Sequence, residues 1–332
     1  MSRAWMARLR GRVPPSGYPA GVSRGARVAT VLVNFDQPSD TLAAVEALQA
    51  GSYLDNTIIV VDNDANAVAG SPLHEKLDAT VGYLPMGTNS GYAAGNNAGA
   101  RRAIRLHDVD YVWVLNPDTV PARYALAELV AAADDHPDAA LMGSRLVDRA
   151  DRTLYNGAVV EPGTGQTRHL DNGRPLRALA QTRPFDTDYV NGASMLIRTG
   201  LIPMIGLIPE DYFLYFEETD YALRCRSMGF RVMVAPASVV RHERRSWGEL
   251  PTSAYIYYMV RNREIFSARW GYDVDQAHRA ATGEFVDGWR ARIERTRPDL
   301  VASFDELVAA ALSNGEAGET GPSDVPAQVK LA

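Results

Sequence analysis

Residues 28–33 have the sequence Val-Ala-Thr-Val-Leu-Val, and the polar-ended tripeptide Asn-Phe-Asp follows at 34–36. A continuous run of apolar and β-branched residues is typical of a strand that is buried on both faces of a sheet. Similar runs at 57–61, 81–84 and 111–115 alternate with segments of helical periodicity. This alternation predicts an α/β fold, in which a mainly parallel sheet is flanked by helices.

Composition divides the chain into segments of different character. Residues 1–27 contain six arginines among prolines and glycines and lack the apolar stretch of a secretory signal, so we expect a disordered basic tail. An alternative role for this tail is contact with acidic lipid headgroups. The α/β pattern occupies residues 28–272, and a helical extension is predicted for 273–312. Residues 313–332 are rich in Gly, Pro, Glu and Ser and are expected to be disordered.

The bulk charge and the cysteine count restrict the classes of function. The 332 residues carry a formal net charge of -6, which argues against nucleic acid as a partner. Cys225 is the single cysteine, so no disulfide can form within the chain, as is common in a reducing compartment. No stretch approaches the roughly 18 apolar residues of a membrane-spanning helix. We therefore expect a cytoplasmic protein, and the sequence leaves its oligomeric state open.

Each of the early strands is followed by a small polar cluster. The clusters lie at 34–36, 62–64, 88–91 and 116–118 and consist mainly of Asn, Asp, Ser and Gly. Because the carboxyl ends of parallel strands lie along one edge of a sheet, these side chains are expected to meet in one crevice. The alternative is that they are helix caps and turn residues, which use the same residue types.

Other nucleotide-binding classes fit the first turn poorly. A dinucleotide-binding dehydrogenase needs G-x-G-x-x-G after the first strand, and residues 34–38 contain no glycine. The P-loop pattern is absent as well. A sugar-1-phosphate nucleotidyltransferase remains an alternative, although it would need a glycine-rich basic loop that residues 34–39 do not supply.

Five stretches form an ordered series along the chain. They are Val60-Val61-Asp62-Asn63, Asn89-Ser90-Gly91-Tyr92-Ala93-Ala94-Gly95-Asn96-Asn97, Leu115-Asn116-Pro117-Asp118, Asn191-Gly192-Ala193-Ser194-Met195-Leu196-Ile197-Arg198 and Tyr212-Phe213-Leu214-Tyr215-Phe216-Glu217-Glu218-Thr219-Asp220. In order and spacing they resemble the inverting glycosyltransferase family 2, whose catalytic domain has the GT-A fold. The resemblance extends from about Val28 to about Asn262. The third and fifth stretches look most like bacterial rhamnosyltransferases of cell-envelope polysaccharide synthesis.

This resemblance implies an enzyme that moves a sugar from a nucleotide-diphosphate donor to an acceptor hydroxyl. The donor would be linked to dTDP, UDP or GDP, with L-rhamnose from dTDP-rhamnose as one case. The acceptor would be a glycan or a polyprenyl-linked sugar, and in the second case the protein would work at the inner face of the cell membrane. The cofactor implied is Mg²⁺ or Mn²⁺, because a hard cation can stabilise the charge on a departing diphosphate.

Asp118 and His242 are the candidate metal ligands. The usual family motif is D-x-D, and here Asn116 takes the first position, so only the Asp118 carboxylate remains to hold a cation. His242 follows an apolar run and resembles the histidine that completes the metal site in some relatives. The alternatives are that Asp118 caps the helix expected near Pro121 and that His242 is structural.

The donor nucleotide is expected to contact residues of the early strand ends. By resemblance, Asp62 accepts hydrogen bonds from the base or ribose, while Asn34 and Asn89 add contacts. Gly91 and Gly95 would let the backbone approach the nucleotide closely.

The acids Glu217, Glu218 and Asp220 are the candidate catalytic group. A direct displacement with inversion needs a base that takes the acceptor's proton. By family position this base is Glu218, where relatives mostly carry Asp, and Glu217 is the other candidate. Glu217 and Asp220 would otherwise support the base or contact the acceptor. The alternative is that the three acids only stabilise the N-terminus of a helix.

The remaining candidate residues lie on the acceptor side or in a later loop. Asn191 and Gly192 match the stretch that forms the floor of the acceptor site in the family. Arg245 and Trp247 resemble part of a mobile loop that could hold the diphosphate and stack on a sugar, and a surface turn is the alternative. Asn262 lies in a recurrent family segment whose role the sequence does not indicate. A non-catalytic nucleotide- or glycan-binding module is the third reading, because Asn116 and Glu218 depart from the family pattern.

Overall fold

The computed structural model describes residues 25–242, 250–272 and 282–331. The strands of the described residues are β1 Val28–Asn34, β2 Asn56–Asp62, β3 Gly82–Pro85, β4 Tyr111–Leu115, β5 Thr119–Pro121, β6 Ala139–Val147, β7 Thr153–Tyr155, β8 Ala158–Val160, β9 Thr167–His169, β10 Phe185–Asp186, β11 Ser194–Arg198 and β12 Arg231–His242. The helices are α1 Pro38–Gln49, α2 Pro72–Lys76, α3 Tyr92–His107, α4 Ala125–Asp135, α5 Ile202–Ile205, α6 Glu217–Ser227, α7 Ser253–Trp270, α8 Gly283–Thr296, α9 Val301–Glu316 and α10 Val325–Gln328.

The central sheet has the strand order β10-β12-β6-β11-β4-β1-β2-β3. Strands β1 to β4 pair in parallel, as do β6 and β12, whereas β11 runs antiparallel between β4 and β6. The predicted mainly parallel α/β sheet is therefore confirmed. Its parallel half delivers the ends of β1, β2, β3 and β4 to one edge, as the apolar runs predicted.

The core lies between this sheet and its helices. Every residue of β4 is buried, including Trp113, whose indole N–H donates to Ser194 Oγ at 3.0 Å. A second apolar cluster lies between α7, α8 and α9 and includes Tyr257, Phe304 and Leu307, which are fully buried. The α7 helix contributes to both clusters and so joins the predicted helical extension to the sheet domain.

The C-terminal segment differs from the expected disorder of residues 313–332. Helix α9 continues to Glu316, and α10 packs against α7. Leu331 is fully buried, and its backbone N–H donates to Ser253 Oγ at 2.9 Å. Widely spaced apolar residues such as Leu331, rather than a continuous apolar run, anchor this segment to α7.

At the other end, β1 begins at Val28 as predicted, while residues 1–24 lie outside the described residues. No helix of the described ranges is long and apolar enough to traverse a bilayer.

Candidate active site

A cleft of about 620 Å³ lies at the carboxyl ends of the parallel strands. Of the residues that the sequence predicted for the site, its walls include Asn89, Gly91, Asn116, Asp118 and His242. Strand ends that are far apart in the chain thus converge on one cavity. Eight other predicted residues are not part of the cleft surface: Asn34, Asp62, Gly95, Asn191, Gly192, Glu217, Glu218 and Asp220. Arg245 and Trp247 lie outside the described residues.

Asp118 and His242 are brought together by the pairing of β5 with the end of β12. These strands are antiparallel, with Thr119 opposite His242. Strand β12 reaches this point through a shift of register between Ala235 and Val239, at the position of Pro236. As a result, Oδ2 of Asp118 lies 3.2 Å from Nε2 of His242.

This pair has the unsatisfied polar atoms that a bound cation would need. Asp118 Oδ1 and His242 Nδ1 are buried, and no hydrogen-bond partner for either occurs in the described residues. The same residues contain no cluster of three or more His, Cys, Asp and Glu side chains suited to a metal ion. The pair therefore fits a cation that takes most of its ligands from phosphate oxygens and water, as Mg²⁺ commonly does.

Asp62 and Asn34 lie behind the cleft wall. Asn34 Nδ2 donates to Asp62 Oδ1 at 2.9 Å and to Asp64 Oδ2 at 3.1 Å. Asp62 Oδ2 accepts from the Tyr83 hydroxyl at 2.6 Å, and Asp62 is 3% exposed. Burial raises the pKa of Tyr83 to about 12, with a further contribution from its hydrogen bond to Asp62, so the hydroxyl stays a donor at neutral pH. This carboxylate orders the ends of β1 and β2 from behind the cleft.

Asn63 organises the turn that begins α3. Its Oδ1 accepts from Ser90 Oγ at 2.7 Å, and its Nδ2 donates to the carbonyl of Gly91 at 3.1 Å and to Asn89 Oδ1 at 3.2 Å. Asn63 belongs to the first of the five matching stretches, but the sequence did not predict it as a site residue. Its contacts explain why Asn89 is held at the cleft.

Gly91 and Gly95 serve close packing within the protein. Gly91 has φ of +85°, and a Cβ there would lie 2.5 Å from the carbonyl oxygen of Phe213. The backbone N–H of Tyr92 donates to that same oxygen at 2.8 Å. At Gly95, a Cβ would lie 2.9 Å from Cγ1 of Val33, so this glycine permits α3 to pack on β1. Of the two, only Gly91 also borders the cleft.

Glu217 and Glu218 begin α6; Glu217 is buried, and Glu218 is partly buried. The Oε2 atom of each is buried, with no hydrogen-bond partner in the described part of the chain. Burial raises the pKa of Glu218, while hydrogen bonds from backbone N–H groups, including that of Gly192, oppose the rise. Burial also raises the pKa of Glu217 well above its ordinary value, and the neighbouring Glu218 charge raises it further.

Tyr92 links these acids to the cleft. Its ring lines the cleft, and its hydroxyl donates to the carbonyl of Gly192 at 2.6 Å. Burial raises the pKa of Tyr92 well above its ordinary value, and the charges of Glu218 and Glu217 raise it further, by smaller amounts. Glu218 therefore lies close to Tyr92, which lines the cleft, and to Gly192, which does not. Tyr92 belongs to the second of the five matching stretches, but nothing in the sequence distinguished it from a packing aromatic.

The structure does not bring Asp220 to the cleft. Its side chain is 1% exposed and accepts hydrogen bonds from the Tyr212 hydroxyl at 2.8 Å, Arg269 Nη1 at 2.5 Å and Trp270 Nε1 at 3.2 Å. These contacts tie α6 to α7, so Asp220 is a structural residue here. Asn191 has a local contact too, because its Oδ1 accepts from the backbone N–H of Ala193 at 2.9 Å.

Aromatic residues form a wall of the cleft that the sequence did not predict. Phe213, Tyr215 and Tyr255 line it, and the rings of Tyr215 and Tyr255 meet edge to face at 5.4 Å. Phe213, Tyr215 and Phe216 have φ of 67°, 70° and 76°, values that non-glycine residues rarely adopt. The aromatic run from 212 to 216 was visible in the sequence, but its left-handed backbone was not.

The chain belongs to a known enzyme family. The family model described as "Glycosyl transferase family 2" matches residues 30–199, about half of the chain. The chain is therefore a member of glycosyl transferase family 2 and a glycosyltransferase, and the resemblance drawn from its motifs is confirmed.

Two curated proteins are similar at low identity. The low-salt glycan biosynthesis hexosyltransferase Agl10 of Haloferax volcanii is 22% identical over 219 residues, which cover 62% of this chain and 67% of that protein. The dTDP-rhamnosyl transferase RfbF of Shigella flexneri is 20% identical over 215 residues, which cover 64% of this chain and 67% of that protein.

Solved structures share the fold. GalNAc-T7 with UDP, GalNAc and Mn²⁺ has a TM-score of 0.56 at 14% identity, over 73% of this chain and 50% of that one. This chain thus spans half the length of that structure. The mannosyltransferase PcManGT from Pyrobaculum calidifontis, in complex with GDP-Man and Mn²⁺, has a TM-score of 0.52 at 17% identity, over 98% of this chain and 84% of that one. These likenesses confirm the expected GT-A fold.

Proposed function

We propose that this glycosyltransferase moves a sugar from a nucleotide diphosphate to an acceptor hydroxyl with inversion at the anomeric carbon. The observation that carries the proposal is the Asp118–His242 pair, whose buried atoms Asp118 Oδ1 and His242 Nδ1 have no partner in the described chain and whose side chains line the large cleft. The diphosphate of the donor would lie at this pair, and the nucleoside would lie toward Asn89 and Gly91.

Asp118 and His242 would hold Mg²⁺ or Mn²⁺. The cation would supply Lewis-acid stabilisation of the charge on the departing diphosphate. Imidazole is a better ligand for manganese than for magnesium, so His242 favours Mn²⁺. Asn116, in the first position of the motif, can offer only a neutral amide, so Asp118 carries the protein's negative charge at this point.

Glu218, which lies close to the cleft residue Tyr92 but is not part of the cleft surface here, would act as the general base once substrate binding brings the acceptor within hydrogen-bonding reach. As the acceptor oxygen bonds to the anomeric carbon, its proton passes to the Glu218 carboxylate, and the bond from that carbon to the diphosphate oxygen breaks, so the nucleoside diphosphate leaves with the electron pair. A carboxylate whose pKa is raised by burial is a stronger base than one in water. Glu217, buried beside it, is the alternative base.

The finer substrate assignment is dTDP-rhamnose as donor and a glycan or polyprenyl-linked sugar as acceptor. It is supported by the motif resemblance and by the name of RfbF, a dTDP-rhamnosyl transferase. With a polyprenyl-linked acceptor, the protein would work in the cytoplasm at the inner face of the cell membrane. The aromatic wall of Tyr215 and Tyr255 offers flat apolar faces of the kind on which sugar rings stack.

Thermal denaturation with dTDP, UDP and GDP, each with and without Mn²⁺, tests the proposal. We expect one nucleoside diphosphate to raise the Tm only when Mn²⁺ is present, because binding to the folded state stabilises it. A preference for the triphosphate would favour a sugar-1-phosphate nucleotidyltransferase instead. No response to any nucleotide would favour a non-catalytic module and overturn the proposal. Transfer assays with dTDP-rhamnose, UDP-sugars and GDP-sugars, read by mass spectrometry, would then identify the sugar.

A further inference from the structure

We infer that Asn262, together with Arg261, is a positioning residue for the proposed reaction. It holds the strained segment 212–216 in place, and this segment in turn positions the acidic start of α6 relative to the cleft. This inference rests on the proposed role of Glu217 and Glu218. The sequence marked Asn262 only as part of a recurrent segment, and neither Asn262 nor Arg261 lines the cleft.

The segment 212–216 has a backbone that its own residues do not favour. Phe213, Tyr215 and Phe216 all have positive φ, although each carries a bulky side chain. Backbone of this kind persists only where surrounding groups fix it. Phe216 is the residue directly before α6, so the path of this segment sets where Glu217 and Glu218 lie.

The Asn262 side chain supplies the fixing contacts. Its Nδ2 donates to the carbonyls of Tyr212 at 3.0 Å, Leu214 at 2.7 Å and Tyr215 at 3.0 Å. Its Oδ1 accepts from Arg261 Nε at 3.0 Å, and Asn262 is 0% exposed. Every polar atom of this amide is therefore used within the protein, and its donors serve segment 212–216 alone.

Arg261 adds a second connection and extends it to the C-terminal segment. Its Nη2 donates to the Tyr212 carbonyl and its Nη1 to the Gly321 carbonyl, both at 2.8 Å. The backbone N–H of Gly321 in turn donates to the Asp211 carbonyl at 2.6 Å. The guanidinium lies 4.8 Å from the centre of the Tyr258 ring, and Arg261 is 1% exposed. Arg261 thus joins α7, the segment before α6 and the residues after α9.

Segment 212–216, which these contacts hold, also borders the cleft. Phe213 and Tyr215 line the cleft, and the Phe213 carbonyl accepts from the Tyr92 backbone N–H. Among the described residues, no hydrogen bond joins the Asp118–His242 pair to Asn262. Loss of the Asn262 amide is therefore expected to displace the acids and the aromatic wall while the cation and diphosphate site keeps its geometry.

The test is Asn262→Ala, with Asn314→Ala as the matched control. Asn314 is an amide that also reaches α7, through the Tyr257 hydroxyl at 2.7 Å, but it does not touch segment 212–216. We expect Asn262→Ala to lower kcat about 10- to 100-fold with donor KM within about threefold, because a displacement of about 1 Å can cost that much in rate. Asn314→Ala is expected to keep both values.

The pH profile separates positioning from a general loss of stability. The base is active when deprotonated, and burial raises the pKa of Glu218. Loosening segment 212–216 admits water, lowers this pKa toward its ordinary value and moves the acid limb of kcat to lower pH. Hydrogen–deuterium exchange should become faster in peptides covering 212–217. A fall in kcat with an unchanged acid limb and unchanged exchange would overturn the inference.

If Asn262→Ala does not fold, Arg261→Lys replaces it as the test. This variant keeps a cation over Tyr258 but cannot donate to the carbonyls of both Tyr212 and Gly321 as the guanidinium does. Faster exchange at 212–217 with a lower kcat supports the inference, and wild-type values overturn it.

The two proposals fail in different ways. If Glu218→Gln is inactive and Asn262→Ala behaves as wild type, the positioning role is wrong and the proposed function stands. If the wild type transfers no sugar from any donor, the proposed function fails. The contacts of Asn262 with segment 212–216 would then have no consequence for catalysis.

Discussion

Asp118 and His242 are 124 positions apart in the sequence, yet Asp118 Oδ2 and His242 Nε2 lie 3.2 Å apart at the cleft. The antiparallel register of β5 with β12 fixes this proximity through backbone hydrogen bonds, so it does not depend on a bound ligand. A carboxylate and an imidazole that are placed together in advance lose little conformational freedom when they take a cation.

Replacing the carboxylate ligand should remove the effect of the metal on nucleotide binding. In Asp118→Asn the charge is lost and the shape kept, and we expect Mn²⁺ affinity to fall by more than the about 10- to 100-fold typical of changes next to a metal ligand. Thermal denaturation with nucleotide and a Mn²⁺ titration measures this. The exposed Asp135→Asn serves as the control. A wild-type Mn²⁺ response in Asp118→Asn would exclude this residue as a ligand.

Replacing the imidazole should change which metal is preferred. His242→Ala leaves an all-oxygen site, which suits Mg²⁺ and loses the advantage that an imidazole gives Mn²⁺. We expect the ratio of activity with Mn²⁺ to activity with Mg²⁺ to fall, measured at saturating concentrations of each metal. If the ratio is unchanged while both activities drop together, His242 acts on stability or shape and does not bind the metal.

Much of the fold could be predicted because the strands are continuous apolar runs and each ends in a polar cluster. The structure places Asn89, Asn116 and Asp118, which belong to these clusters, at the cleft. The sequence pattern does not reveal that the Asp62 carboxylate accepts hydrogen bonds from Asn34 and Tyr83. An Asp at the end of a strand looks the same in the sequence whether its side chain faces the cleft or the interior.

The backbone of segment 212–216 was beyond prediction for a different reason. Aromatic residues seldom adopt positive φ, and what holds them there is the amide of Asn262, which lies 47 to 50 positions further along the chain than the residues it contacts. Local sequence carries no sign of such a contact. The C-terminal segment is a similar case, because its order depends on burial of residues such as Leu331 against α7.

The general base should be identified by an isosteric change. Glu218→Gln keeps the size of the side chain but cannot take a proton, so we expect transfer to fall about 10²- to 10⁴-fold, as is usual when a general base is removed. Metal-dependent nucleotide binding should persist, because Asp118 and His242 are untouched. Near-normal turnover in Glu218→Gln, together with loss of turnover in Glu217→Gln, would assign the base to Glu217.

Glu217 should make the protein less stable as the pH rises. Its folded-state pKa is raised above the ordinary value of 4.5 by burial and by the Glu218 charge. Between the unfolded and folded pKa values the folded protein therefore binds more protons than the unfolded chain, so stability falls as the pH rises through this window and is constant above it. We expect Glu217→Gln to raise the Tm at neutral pH and to flatten its dependence on pH above 4.5. The exposed Glu128→Gln should change neither.

Gly91 and Gly87 both have a positive φ, but of the two only Gly91 lies against another segment of the chain. Both have positive φ, of 85° and 69°, so an alanine at either position adopts an unfavourable backbone that costs about 1–3 kcal/mol, and the cost is greater at Gly91, whose ψ of 175° completes a conformation found essentially only in glycine. A Cβ at Gly87 meets nothing within 4 Å, whereas one at Gly91 lies 2.5 Å from the Phe213 carbonyl oxygen. We expect Gly87→Ala to lose only that backbone energy in a denaturant titration. Gly91→Ala should lose more, and its kcat should fall as well, because Phe213 must move and the start of α6 moves with it. Equal losses of stability and equal kcat values in the two variants would mean that the contact between the turn and Phe213 has no part in holding the acids in place.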